Sequence, residues 1–348
     1  MSTLSSRLPL IATLTAALAA SACAPEGYHA EILPLPASVD DYSPIDRYDE
    51  MMVPADNPMT AEKVALGRQL YYDDRLSGDG SRSCYSCHVC ESGLTDGLPT
   101  AIGAYEKQLS RSSPTLWNIG YHQTFYWDGR APSLEVQALK AWTGGNMGAK
   151  DTAPVLAAVN GEPGYAAQFA DVFGAPADET NVPQALAAYM RTIISDDTAF
   201  DRFQKGDATA LDDGAKRGWE TFQSWGCVDC HTGVLLTDLQ FHNVGIGLDA
   251  DEPDVGRLKV TALPQDMGAF KTPTLRDITR SGPYFHNGSV ESLETAVRQM
   301  ATGGLANPNL SPKLKKNVVT NEQVADVMAF LQSLEQPCDF TAPELPGR

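Results

Sequence analysis

The sequence predicts a mainly α protein of two domains that share one plan and carry long loops. Three observations point there. The 348-residue chain is long enough for two ordinary cores, with 43% hydrophobic and 8% aromatic residues to fill them. Helical spacing of apolar residues recurs along it, while alternating strand-like runs are few. The pattern Cys-x-x-Cys-His stands once in each half, at Cys84, Cys87 and His88 and again at Cys227, Cys230 and His231.

In chain order, Arg7 precedes an apolar run from Leu8 to Ala20 and small residues before Cys23. This is the layout of an export signal over 1–23, too short to span a membrane comfortably. Ala20-Ser21-Ala22-Cys23 resembles a bacterial lipobox, which implies a lipid anchor on Cys23; plain cleavage near the same place is the other reading. Both put the mature chain in the periplasm. Residues 24–58, rich in Pro, Asp and Tyr, read as an extended lead-in. Thr60 caps a helix running to Tyr72 with Val64, Leu66 and Leu70 inward. Pro183 sits in the first turn of a helix from Asn181 that carries Leu186, Tyr189, Met190 and Ile193. The polar stretch Ser195–Asp213 marks a boundary, giving expected domains at 59–205 and 206–336 and a tail at 337–348. Trp219 and Phe222 then lie on a helix leading to the second cysteine motif. Ser292 caps a helix with Leu293, Val297 and Met300 on one face. Thr320 and Gln323 make a capping box before Val324, Val327, Met328, Leu331 and Leu334.

A net charge of -18 repels phosphate backbones and argues against nucleic acid as a partner. It suits a basic protein partner and equally a surface kept acidic for solubility.

Two cysteines on one tight turn with histidine next is the arrangement that holds a c-type haem: the thiols become thioethers and the histidine lies beneath the iron. Two covalent haems are therefore expected. Structural zinc is the competing reading; Cys90 would complete a cluster at the first motif, but the second has no evident fourth ligand. Cys90 and Cys338 remain unassigned. In an oxidising compartment they form a disulfide that ties the tail to the first domain, or they stay separate thiols, since spacing gives no distance.

Further landmarks surround the motifs: Gly67 to Asp73, Arg75-Leu76-Ser77, Arg111 to Asn118, Trp127-Asp128-Gly129-Arg130, Leu134 to Ala138, Gly256-Arg257, Phe270 to Arg276 and Pro283-Tyr284-Phe285-His286. On these the chain resembles the bacterial di-haem cytochrome c peroxidase family, which includes MauG. The resemblance implies a peroxide-reactive N-terminal haem, an electron-storing C-terminal haem, hydrogen peroxide as substrate, and a small redox protein (cytochrome c or copper protein) as electron donor. It also implies Met300 as second ligand of the C-terminal iron, where MauG has tyrosine; a core methionine is the alternative. Trp127 matches the family's inter-haem tryptophan, with simple packing as the alternative. Trp117 and Trp142 read as packing residues. The family's distal histidine has no counterpart in the loop from Val89 to Leu109, which implies an open iron on His88; His122 reads as a surface or structural residue, with a ligand that swings in as the alternative. Where the family places a catalytic glutamate, the count from Gln137 reaches Met147, so only Gln137 or Asn146 remains to orient peroxide. The family's interdomain calcium would fall to Ser112, which replaces an asparagine, and to carbonyls of Ser281 and Pro283. Three functions are thus carried forward: a peroxidase, a MauG-like oxidase of Trp or Tyr in a partner protein, and a non-enzymatic electron carrier.

Overall fold

The computed structural model describes residues 51–348. The expected signal, Cys23 and most of the lead-in lie outside the described residues. The first half contains α1 (Ala61–Tyr72), α2 (Leu134–Thr143), α3 (Ala153–Gly161), α4 (Pro163–Phe173) and α5 (Asn181–Met190). The Thr60 hydroxyl accepts from the Lys63 amide and starts α1 as expected. α1 packs on α5 at Gly67, where a Cβ would overlap the Ala185 carbonyl oxygen. Only glycine permits that approach. Val64, Leu66, Leu70, Trp117, Trp142 and Leu186 share this core; Ile193 joins it from beyond the end of α5.

The second half holds α6 (Ala199–Gln204), α7 (Asp213–Ser224), a strand pair β1 (Phe241–Asn243) and β2 (Ala269–Lys271), α8 (Leu258–Thr261), α9 (Leu293–Ala301) and α10 (Asn321–Gln332). The two antiparallel strands, in register Phe241↔Lys271, are the only sheet among the described residues. α7 meets α10 at Gly218, where a Cβ would overlap the Asp326 carbonyl oxygen, repeating the glycine crossing of the first half. Thr320 and Gln323 form their capping box on α10. α6 lies inside the stretch read as a boundary, capped by Thr198 and Asp201. Its Phe200 packs with Phe222, Val324, Phe330 and Leu334 of the second cluster, although a division at 205 assigns it to the first half.

The halves repeat each other in detail. α2 and α9 start at Ser133 and Ser292 caps. Before each cap a bridge closes a loop, Phe125↔Ala131 in one half and Tyr284↔Val290 in the other. Positive φ recurs in register at Asn118 and Asp277, Tyr126 and Phe285, and Gly129 and Gly288. The two copies bond each other reciprocally: Ser112 N donates to His286 O (2.8 Å) and Lys271 N to Trp127 O (2.8 Å). Trp127 and His286 are therefore counterparts, as are Ser112 and Lys271, and Ala141 of α2 is the counterpart of Met300 of α9.

The tail runs back across the first half. Cys338 is disulfide-bonded to Cys90, which settles the two readings of that pair. Phe340 meets the Trp117 ring edge-on at 5.7 Å, and Arg68 and Arg75 donate to the carbonyls of Thr341 and Pro346.

Candidate functional site

The first cysteine motif is wound tightly, Cys87 N bonding Cys84 O and His88 N bonding Tyr85 O, both at 3.2 Å. The loop then turns through Leu94 at a φ of 60°, so that its carbonyl meets His88 Nδ1 at 3.0 Å. The second motif does the same: His231 Nδ1 lies 3.1 Å from the carbonyl of Leu236, whose φ is 52°. Leucine at positive φ is uncommon, and both loops adopt it to aim the carbonyl. Bonding of Nδ1 to a carbonyl fixes it as the protonated nitrogen and leaves Nε2 with the lone pair that ligates metal. Burial lowers the basicity of both imidazoles and keeps them neutral. Burial also pushes the thiols of Cys84 and Cys227 up to about 12 and those of Cys87 and Cys230 up to about 11. Two neutral thiols on one turn beside a tethered, neutral imidazole fit a covalent haem in each half.

The zinc reading loses its fourth ligand at the first motif, because Cys90 is disulfide-bonded. At the second, Cys230, Asp238 and His242 converge within 4.8 Å, but Asp238 is engaged by His242 Nε2 (2.8 Å) and Lys313 Nζ (2.9 Å).

Between the halves lies a cavity lined by Ser112, His122, Trp127, Lys271, Ser281 and Pro283, among others. Trp127 is held there by its indole N–H, which donates to Ser112 O at 3.0 Å. The Ser112 hydroxyl donates across the interface to Phe285 O at 2.9 Å. His122 is no surface residue: at 6% exposure it is buried, with Nδ1 accepting from Lys271 Nζ at 3.1 Å. Burial and the Lys271 charge push His122 well below its usual range. Burial brings Lys271 down to about 7, and Lys271 also donates to Thr124 O at 2.7 Å. Thr124 and Lys271 are the counterparts of Pro283 and Ser112. The Lys271 amine thus stands in the mirror position of the niche expected to take a hard cation. His286 stacks on Phe270 at 3.6 Å and is brought by burial down to about 4. Arg111 joins Asp128 (2.8 Å) to Asp254 (2.6 Å) across the same interface.

Of the other expected residues, Met300 lies half-buried in the last turn of α9; Leu293 and Val297 of that helix join the second core cluster and Met300 does not. Gln137 is on α2, its carbonyl accepting from the Tyr126 hydroxyl. Met147 is a core residue, and the Asn146 carbonyl accepts from Ala104 N. Trp117 and Trp142 are core residues as expected, their indoles bonded to Asp277 and to Leu76 O. The Lys271–His122 pair was not singled out from sequence. Its members were present separately, Lys271 inside the Phe270–Arg276 landmark and His122 as a histidine without a partner in the sequence.

Residues 61–209 match the family described as Di-haem cytochrome c peroxidase. The chain is 37% identical to the cytochrome-c peroxidase IdrP1 of Denitromonas iodatirespirans, over 88% of this chain and 90% of that protein. It is 39% identical to the methylamine utilization protein MauG of Methylorubrum extorquens, over 84% of each. The chain belongs to the di-haem cytochrome c peroxidase family. A crystal structure of a MauG-like protein associated with microbial copper homeostasis superposes with a TM-score of 0.75 at 33% identity, covering 81% of this chain and 92% of that one. Membership brings two c-type haems and a peroxide-dependent oxidoreductase activity of the peroxidase or MauG kind. None of the described helices is long and apolar enough to cross a membrane.

Proposed function

We propose that this family member reduces hydrogen peroxide in its N-terminal half, with electrons entering through its C-terminal half. In this reading Cys84 and Cys87 would hold one haem and Cys227 and Cys230 the other, with His88 and His231 offering Nε2 to the irons. Each haem supplies a redox-active iron. The observation that carries the reading is the register of α2 against α9: Met300 would offer a thioether to the second haem, whereas its counterpart Ala141 has no ligating atom for the first. His231 and Met300 would together hold one iron, a ligand pair suited to storing an electron. His88 would hold the other, leaving room for peroxide. Trp127, pinned between the halves by Ser112 O, is the aromatic step between them. Gln137 and Asn146 orient peroxide by hydrogen bonding, since no carboxylate stands at that point. A small redox protein is the electron donor. The periplasm is the compartment, in keeping with the Cys90–Cys338 disulfide. Ser112, Ser281 and Pro283 line one cavity with oxygen donors, so an interdomain calcium ion belongs to the reading as well.

Stopped-flow mixing of the reduced protein with peroxide tests this: both haems oxidise within one turnover, and an inert N-terminal haem contradicts it. A second reading, oxidation of Trp or Tyr in a partner protein, is favoured by the absence of histidine from the Val89–Leu109 loop and by the 39% identity to MauG. It predicts a peroxide-dependent mass change in the partner.

A further inference from the structure

The two cysteine turns differ in what surrounds them. Tyr85 lies between the cysteines of the first, where Val228 stands in the second. Its ring stacks on Tyr72 at 4.6 Å and 27°. Tyr71 meets Tyr72, Tyr85 and Tyr189 edge-on at 5.4, 6.4 and 5.0 Å. The Tyr71 hydroxyl also donates to the carbonyl of His88. Four phenols thus form one contact cluster on the turn of the peroxide-reactive half. The second turn is packed instead by Phe200, Phe222, Phe330 and Trp219.

A phenol loses its proton when it loses an electron, so an oxidisable tyrosine needs a base within hydrogen-bond reach. Tyr85 has one: its hydroxyl donates to Glu91 Oε2 at 3.2 Å, at the protein surface. Glu91 is held on the short 3-10 turn Cys90–Ser92, whose first residue is anchored by the disulfide to Cys338 and which closes on Gly93 at positive φ. Burial and the Glu91 charge push the Tyr85 phenol up, so at neutral pH it keeps its proton until it is oxidised. Tyr71 is fully buried and Tyr189 nearly so, leaving Tyr85 with a surface carboxylate as the outlet of the cluster.

We propose that Tyr85 is a radical-bearing residue of the N-terminal haem site, giving one electron to the peroxide-oxidised centre and its phenolic proton to Glu91. Hydrogen peroxide takes two electrons, and two protons from solvent, to become two waters. Tyr85 supplies one electron when the donor protein does not, and the C-terminal half supplies the other. The radical ends when a reduced donor returns an electron and Glu91 returns the proton. This rests on the peroxide reactivity of the His88 half.

Freeze-quench electron paramagnetic resonance of the haem-loaded protein with one equivalent of peroxide and no donor tests it. The expected result is an organic radical signal that narrows with ring-deuterated tyrosine and is lost or altered in shape in Tyr85→Phe. Glu91→Gln leaves the phenol in place and removes its proton acceptor, so it serves if Tyr85→Phe fails to take up haem: the tyrosyl radical yield falls in that variant. A signal unchanged by tyrosine deuteration, unchanged in Tyr85→Phe, or of wild-type yield in Glu91→Gln overturns the proposal. Optical spectra recorded in parallel separate the two claims. A haem spectrum that responds to peroxide without a tyrosyl signal overturns the radical site alone, and a spectrum that does not respond overturns both.

Discussion

The N-terminal and C-terminal halves are two editions of one structure, alike in how the chain is folded and unlike in the side chains set on it. The local scaffold is kept: the wound Cys-x-x-Cys-His turn, the leucine carbonyl on the histidine, and the glycine at which two helices cross. Side chains at other matched positions diverge. Ala141 stands opposite Met300, Trp127 opposite His286, Ser112 opposite Lys271, and Tyr85 opposite Val228. A repeated scaffold thus places tyrosines around the first cysteine turn and mainly phenylalanines around the second.

Breaking that contrast at the irons has the largest expected effect. His88→Ala abolishes the optical response to peroxide, whereas Met300→Ala leaves that response in place, lowers the potential of the second haem and slows its oxidation. Equal loss in both variants removes the functional contrast. A large structural effect is expected at Arg276, which is 2% exposed and forms paired bonds of 2.8 Å with Asp201. Arg276→Met strands a buried carboxylate and costs about 3–5 kcal/mol in urea unfolding. The counterpart position is Trp117, so the ion pair belongs to one half only.

The glycine crossings test the opposite claim, that the scaffold is shared. Gly67→Ala and Gly218→Ala each force a helix pair apart and cost about 1–3 kcal/mol, by similar amounts in the two halves. A loss confined to one variant shows that the crossings are not equivalent. An effect confined to mildly acidic pH concerns the Trp127 and His286 counterparts. Burial holds His286 at about 4, against 6.5 for a free imidazole, so the unfolded chain binds an extra proton between those values. Its contribution to stability is complete above pH 6.5 and is lost as the pH falls toward 4. His286→Phe flattens that part of the stability curve, and Trp127→Phe leaves it as it is.

Much of this was legible in the residues. Thr60, Ser292 and the Thr320–Gln323 box announce helix starts because capping is local, and the cysteine motifs announce haem because the chemistry fixes their spacing. The Cys90–Cys338 bond stood open because spacing carries no distance. α6 was hidden in a polar stretch: six residues are too few for periodicity, and the helix is held by a capping box and by Phe200 in the second core. His122 read as an exposed or merely structural residue because its partner, Lys271, lies on a strand far along the chain. The tyrosine cluster joins α1, α5 and the first turn, so its members come together only in the fold.

The central claim is that one iron is open and the other closed, and electron paramagnetic resonance of the resting ferric protein tests it most directly. The account predicts a high-spin signal from the His88 haem together with a low-spin signal from the His231/Met300 haem. His88→Ala should change the first and Met300→Ala the second. Two low-spin signals, with no high-spin component, contradict the account and leave the protein an electron carrier.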